Sequence, residues 1–413
     1  MNRRTFLGTV SGTTGLLAGC LFTAEDETSS GTVSCGDTTH DALHDEPLDA
    51  AVTGTWESIY GDRQNTGVRP NTAGPADCPQ THWRALPPDP DDRISFDFPP
   101  VVSDGYAVIS NGLSRVFAFD ARSATAEWTA EVTSGITELA TIGDLVCFGS
   151  GRGVHALALA DGTERWCRET DDRISTAPKV DGDRLFVTTD SGTLLAIDRD
   201  GHVVWRTSVP SGDRETSTDR NPRTPAAVTG DRVFVCDSAG LVAAVDRTTG
   251  DLAWSRSFDE DVSNAPTVGA DAVLVASERS LRALDRQTGE TRWTAFDDAS
   301  DSSVVVNSPA LDVTTGTVYA QAGPDLQNLF LTAVDAGTGT ERWRTGIALP
   351  ETDPIVGLDH VYLGAGSDLI AVDRDSHEER WRMTQRSDIH GHPVLLDRTV
   401  FVPSVDDGLF AVA

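Results

Sequence analysis

The sequence predicts an all-β fold, an eight-bladed β-propeller closed by pairing of its N- and C-terminal strands. Three observations carry this. One pattern, A-x-D-x-x-x-G-x-x-x-W, recurs in tandem and is best kept from Ala283 through Asp285 and Gly289 to Trp293. Successive repeat tryptophans lie 38 to 50 residues apart, a period at which chains build solenoids and propellers. Between them, short β-branched runs alternate with Gly, Asp and Ser turns, and no segment has a convincing helical period.

In chain order, residues 1–19 are expected to be an address rather than part of the fold. Asn2-Arg3-Arg4-Thr5-Phe6-Leu7 resembles a twin-arginine export signal, followed by a run too rich in Gly and Thr to be a good membrane span. Leu17-Ala18-Gly19-Cys20 resembles a lipobox, which implies cleavage before Cys20, lipid on that cysteine and anchoring at the outer face of the cytoplasmic membrane. Residues 20–52 are acidic and rich in Ser, Thr, Gly and Asp, a composition that predicts a flexible tether. Residues 53–80 bring Trp56 and Tyr60 in a turn-rich run, expected to pack on the body as a clasp or plug.

Residues 81–413 are expected to form the propeller. In the best repeat, Ala265–Val268, Ala272–Ala276, Ser280–Leu284 and Thr291–Thr294 read as four short antiparallel strands. Eight turn-and-second-strand units can be counted, from Asp104-Gly105 to Leu396-Asp397. The last unit stops at Ala413 without a tryptophan, while Trp83 stands without the upstream half of its repeat. The orphan strand at Trp83 therefore completes the last blade and removes the open edges. The docking motif comprises Trp83, Trp128, Trp166, Trp205, Trp254, Trp293, Trp343 and Trp381, with Asp120, Asp198, Asp246, Asp285, Asp335 and Asp373 and with Gly162, Gly201, Gly250, Gly289 and Gly339. Asp and Gly suit the turn between the third and fourth strands, where Asp bonds local backbone and Gly takes positive φ. Each indole is expected to wedge against a neighbouring blade, a structural role.

The charge balance is 64 acidic against 33 basic residues, a net charge of −31, and the only lysine is Lys179. Loss of residues 1–19 removes two arginines and no acids, which brings the net charge to −33. Such a surface excludes nucleic acid as a partner and suits concentrated salt, where a Debye length of roughly 3 Å at 1 M screens self-repulsion. The melting temperature is expected to fall as salt is lowered from ~3 M to ~0.1 M; an unchanged value would contradict a halophilic origin.

Five cysteines follow Cys20, and none has metal-site spacing. Cys35 with Cys78 and Cys147 with Cys167 are the disulfide pairings to test first. Loops entering the channel carry Arg93, Arg173, Arg223, Asn264, Asn307 and Asp353 as ligand candidates. His390 and His392, two apart, are the most metal-like residues and would share a cation with Asp388. No nucleophile elbow, P-loop or H-E-x-x-H occurs, and no catalytic residue is assigned.

The tandem motif resembles the tryptophan-docking motif of quinoprotein dehydrogenases and of their non-enzymatic relatives, the pyrroloquinoline-quinone-like (PQQ-like) repeat proteins. Among these the chain looks most like exported lipoprotein propellers such as the scaffold subunit of the outer-membrane assembly machine. That resemblance implies a non-catalytic scaffold for other envelope proteins, with no cofactor. The alternative it implies is a dehydrogenase of alcohols or sugars using PQQ with calcium. Between them lies binding of carbohydrate or another small ligand in the channel. The vicinal disulfide of many quinoprotein dehydrogenases has no counterpart, since no two cysteines are adjacent.

Overall fold

The computed structural model describes residues 46–413 apart from 76–77, 90–95, 133–134, 175, 211–223, 263, 297–303, 326–327, 348–349 and 407. Cys20, Cys35, Arg93 and Arg223 lie outside the described residues, as do the expected signal and most of the tether. The described residues form eight four-stranded antiparallel sheets and no helix. Blades 1 to 7 are each built from four consecutive strands and begin at Val101, Ala140, Lys179, Ala227, Thr267, Val304 and Ile355. Blade 8 takes Val394–Leu396, Thr399–Ser404 and Gly408–Val412 from the C-terminus and Thr81–Ala85 from the N-terminal side.

The closing strand runs antiparallel to the last one, with Trp83 opposite Ala411, Arg84 opposite Phe410 and Ala85 opposite Leu409. Gln80 and Ala413 extend it by exchanging two backbone hydrogen bonds of 3.1 Å. Most innermost strands are short, and in blades 1, 3, 5, 7 and 8 proline directly precedes them, as Pro266 does at Thr267–Val268. Proline has no N–H for the ladder and starts strands rather than extending them. That is why the first strand of blade 5 begins two residues later than the sequence pattern predicts.

The apolar core lies between blades rather than within one. Val101, Val108 and Val116 of blade 1 meet Val146, Phe148 and Leu157 of blade 2, and equivalent clusters join each following pair. Blades 7, 8 and 1 share one larger cluster containing Trp381, Phe401, Trp83 and Phe117, so the closure sits in the largest block of apolar packing.

The repeat motif explains how blades register. The motif Asp accepts from the two turn N–H groups that follow it, as Asp285 does from Gln287 and Thr288 at 2.9 and 3.0 Å. Hydrogen bonding to Arg292 and to that backbone holds the Asp285 carboxyl down at about 2. The motif Gly then lies flat beneath the tryptophan of the preceding blade. At Gly339 φ is +72°, and a Cβ would come 2.5 Å from Trp293 Cε3. The indole Nε1 crosses the same junction to donate to a backbone carbonyl. Trp128 bonds Leu159 at 2.8 Å, Trp166 bonds Arg199 at 2.8 Å, Trp205 bonds Arg247 at 3.0 Å, Trp254 bonds Arg286 at 3.0 Å and Trp293 bonds Ala336 at 3.0 Å. In blade 7 His377 replaces the glycine, still at positive φ, and stacks on Trp343 with centroids 4.5 Å apart.

Candidate functional site

Inner strands of a propeller leave backbone groups facing the axis, and unpaired buried groups are costly. Here the chain meets them itself. Residues 53–72 pass along the innermost strands of all eight blades. Thr53 and Gly54 donate to Asp397 in blade 8. Trp56 exchanges two bonds with Val102 in blade 1, and Glu57 accepts from Thr141 in blade 2. Arg63 accepts from Val228 in blade 4, Gln64 from Val268 in blade 5 and Thr66 from Leu311 in blade 6. Gly67 and Arg69 bridge Val356 in blade 7.

Blade 3 contributes the only lysine. Lys179 is fully buried, and its Nζ donates to Ser58 Oγ at 2.9 Å, Ile59 O at 2.6 Å and Asp62 O at 3.1 Å. Beside it Arg63 pairs with Asp181 at 2.5 Å. Burial outweighs the nearby Asp62, Glu57 and Glu138 and lowers the Lys179 ammonium to about 7.

Tyr60 is the tip of this segment. It and Ile59 pack against Ala177 and Ala265 from blades 3 and 5. Its ring lies 5.7 Å from that of His392, and its hydroxyl bonds Ser308 Oγ at 3.1 Å. Strand register makes Glu138, Ala177, Ala265, Ser308, Asp353 and His392 equivalent positions, each two residues before the inner-strand residue opposite the second strand. Burial raises the Tyr60 hydroxyl well above its ordinary value, with Asp353 adding to the effect, and raises the carboxyls of Glu138 and Asp353. Asp353 is held by the Ser308 N–H at 2.7 Å and by His392 Nε2 at 3.3 Å. The arrangement is a polar cluster around a lodged tyrosine.

The sequence candidates divide. Asp353 and His392 join the cluster, while Asn307, at positive φ, donates to Gln321 at 2.7 Å, and Asn264 is half-buried. Arg173 and Asp388 are exposed. His390 turns to Asp97 at 3.5 Å and Glu351 at 3.3 Å. The two imidazoles thus face different carboxylates instead of a common cation, because they sit in a loop before Val394–Leu396 and not on a strand. Among the described residues no group of three His, Cys, Asp or Glu side chains is placed to hold a metal ion.

The cysteine expectation also changes. Cys147 and Cys167 are free, because the strand Gly153–Ala158 lies between theirs. Two interstrand spacings, roughly 9–10 Å, exceed the reach of a disulfide. Cys78 is disulfide-bonded, and since Cys147, Cys167 and Cys236 are free its partner lies outside the described residues. Tyr60 and Glu138 were not singled out as site residues, and no motif marks them. Lys179 was visible as a compositional singleton.

Tandem tryptophan-docked blades closed by pairing of Thr81–Ala85 with Gly408–Val412 define a PQQ-like β-propeller. A family model described as outer membrane protein assembly factor BamB matches residues 95–168, 151–218 and 214–413, and the chain belongs to that family. BamB from Moraxella catarrhalis is similar in structure, with 18% identity, a TM-score of 0.63 and coverage of 81% of this chain and 99% of that one. A quinohemoprotein alcohol dehydrogenase from Comamonas testosteroni gives 15%, 0.68, 88% and 81%, respectively. A europium-containing methanol dehydrogenase gives 14%, 0.68, 85% and 89%. At these identities the likeness to solved structures shows the fold alone. No curated protein matches the chain by sequence.

Proposed function

We propose that the protein is a non-catalytic scaffold, anchored by lipid on Cys20 at the outer face of the cytoplasmic membrane, that binds or assembles other envelope proteins. One observation supports this best. The chain occupies its own axis with residues 53–72, leaving the rim and loop faces as the surfaces for partners. The membership shared with an outer-membrane assembly factor agrees with an envelope setting.

The residues along the axis do not suit a quinone held with calcium. Tyr60 is lodged at the level of Ser308 and His392 and takes up the axial space there. Protein reconstituted with PQQ and calcium is expected to show no dye-linked oxidation of alcohols or glucose. Quinone-dependent oxidation would overturn the scaffold reading. In the same preparations wild-type protein should sediment with membranes and Cys20→Ser should be released; retention of the variant would overturn the lipid anchor.

A further inference from the structure

Blade 2 carries on its outer hairpin a cluster that the axis does not use. His155, on Gly153–Ala158, and Cys167, on Glu164–Glu169, are direct cross-strand partners. Cys167 Sγ lies 3.8 Å from His155 Nε2, and His155 Nδ1 lies 3.1 Å from Glu164 Oε2. The ring is fixed from its face by Phe148, stacked at 5.4 Å and 10°.

We propose that Cys167 and His155 form a two-residue binding site for a thiophilic divalent cation of the Zn(II) class, with Glu164 as the positioning residue. Three features of the geometry argue for it. A tetrahedral ion with bonds of about 2.3 Å to sulfur and 2.0–2.1 Å to nitrogen sets those atoms roughly 3.5 Å apart, and the observed separation needs only a few tenths of an ångström of closure. A proton on Nδ1, donated to Glu164, leaves the Nε2 lone pair directed to the thiol side; this carboxylate–histidine arrangement is how metal-ligating imidazoles are usually held. Finally, Gly153 flanks the pair. A Cβ there would come 3.2 Å from His155 Nε2 and 3.4 Å from Cys167 Sγ, so the missing side chain leaves room beside both donor atoms.

Electrostatics agree. Glu164 and Glu169 share the strand with Cys167 and give the pair a negative field that favours a dication. Binding forms one metal–sulfur and one metal–nitrogen bond and releases the thiol proton to solvent, with no change of oxidation state. The remaining coordination positions go to solvent. Cys147 and Cys236 are buried, so neither competes as an accessible thiol.

Because so acidic a surface collects divalent ions without specificity, the test must read the sulfur. Co(II) added to the full chain in high salt is expected to give a thiolate-to-cobalt charge-transfer band saturating at one equivalent. Cys167→Ser and His155→Gln should abolish that band while keeping the melting temperature. Glu164→Gln should weaken binding by about 10- to 100-fold. Zn(II) should displace the cobalt and slow alkylation of Cys167. Absence of the band up to ~1 mM Co(II), or a band unchanged in His155→Gln, would overturn the site and leave a surface thiol hydrogen-bonded to an imidazole.

Discussion

Trp83→Ala is expected to destabilise the protein by about 3–5 kcal/mol, the usual cost of removing a fully buried large aromatic. The ring is 1% exposed, lies 5.8 Å from Phe401 and belongs to the strand that pairs with Gly408–Val412. Its loss strikes the cluster shared by blades 7, 8 and 1, where two distant parts of the chain meet. Trp166→Ala, at a partly buried indole between consecutive blades, should cost about 1–2 kcal/mol. Denaturant unfolding in high salt measures both. Equal losses would mean that the closure is no more important than any other junction. Trp83→Phe sharpens the comparison, because Trp83 Nε1 bonds no protein atom among the described residues whereas Trp293 Nε1 bonds Ala336. Both exchanges shrink a buried ring, and the second should lose about 1 kcal/mol more with its hydrogen bond.

Lys179→Met should release the clasp from blade 3 by leaving Ile59 O, Asp62 O and Ser58 Oγ without their shared donor. A buried acceptor left unpaired costs about 1–3 kcal/mol, offset by removal of a buried charge. The diagnostic is the pH dependence. Lys179 titrates at about 7 when folded and at 10.5 in its ordinary state, so between these values the unfolded chain binds a proton that the folded chain does not. Stability contributed at this position is therefore lost as pH falls through 7 and fully present above 10.5. The advantage of wild type over Lys179→Met should widen as pH rises across that window, by at most about 1.4 kcal/mol per pH unit. A difference independent of pH would contradict the burial of the amine.

The blade number, the closure and the docking motif were legible because each rests on local chemistry that repeats. A turn that needs Asp and Gly, followed by an indole, prints the same pattern at each blade, and the unit lacking tryptophan at Ala413 points to the unmatched Trp83. The axis was not legible in the same way. Tyr60, Glu138 and Asp353 meet only because residues 53–72 follow the inner strands, and no periodicity records that path. His390 and His392 looked like a pair on the assumption of strand geometry, which a loop does not supply. His155 and Cys167 make the converse case: twelve residues apart, they become neighbours only once the hairpin register is known.

Lys179 offers the most direct measure of whether the N-terminal segment seals the axis, because it is the only lysine in the sequence. Burial lowers its ammonium below that of the unfolded chain, so at pH 8 to 9 protonation does not favour reaction of the unfolded chain and slow modification reads the cover. An amine-reactive reagent applied in high salt should leave Lys179 unmodified in the folded protein, at least about 10³-fold slower than in the unfolded chain. Modification of folded protein at the unfolded rate would mean that residues 53–72 do not cover the lysine and that the channel is open.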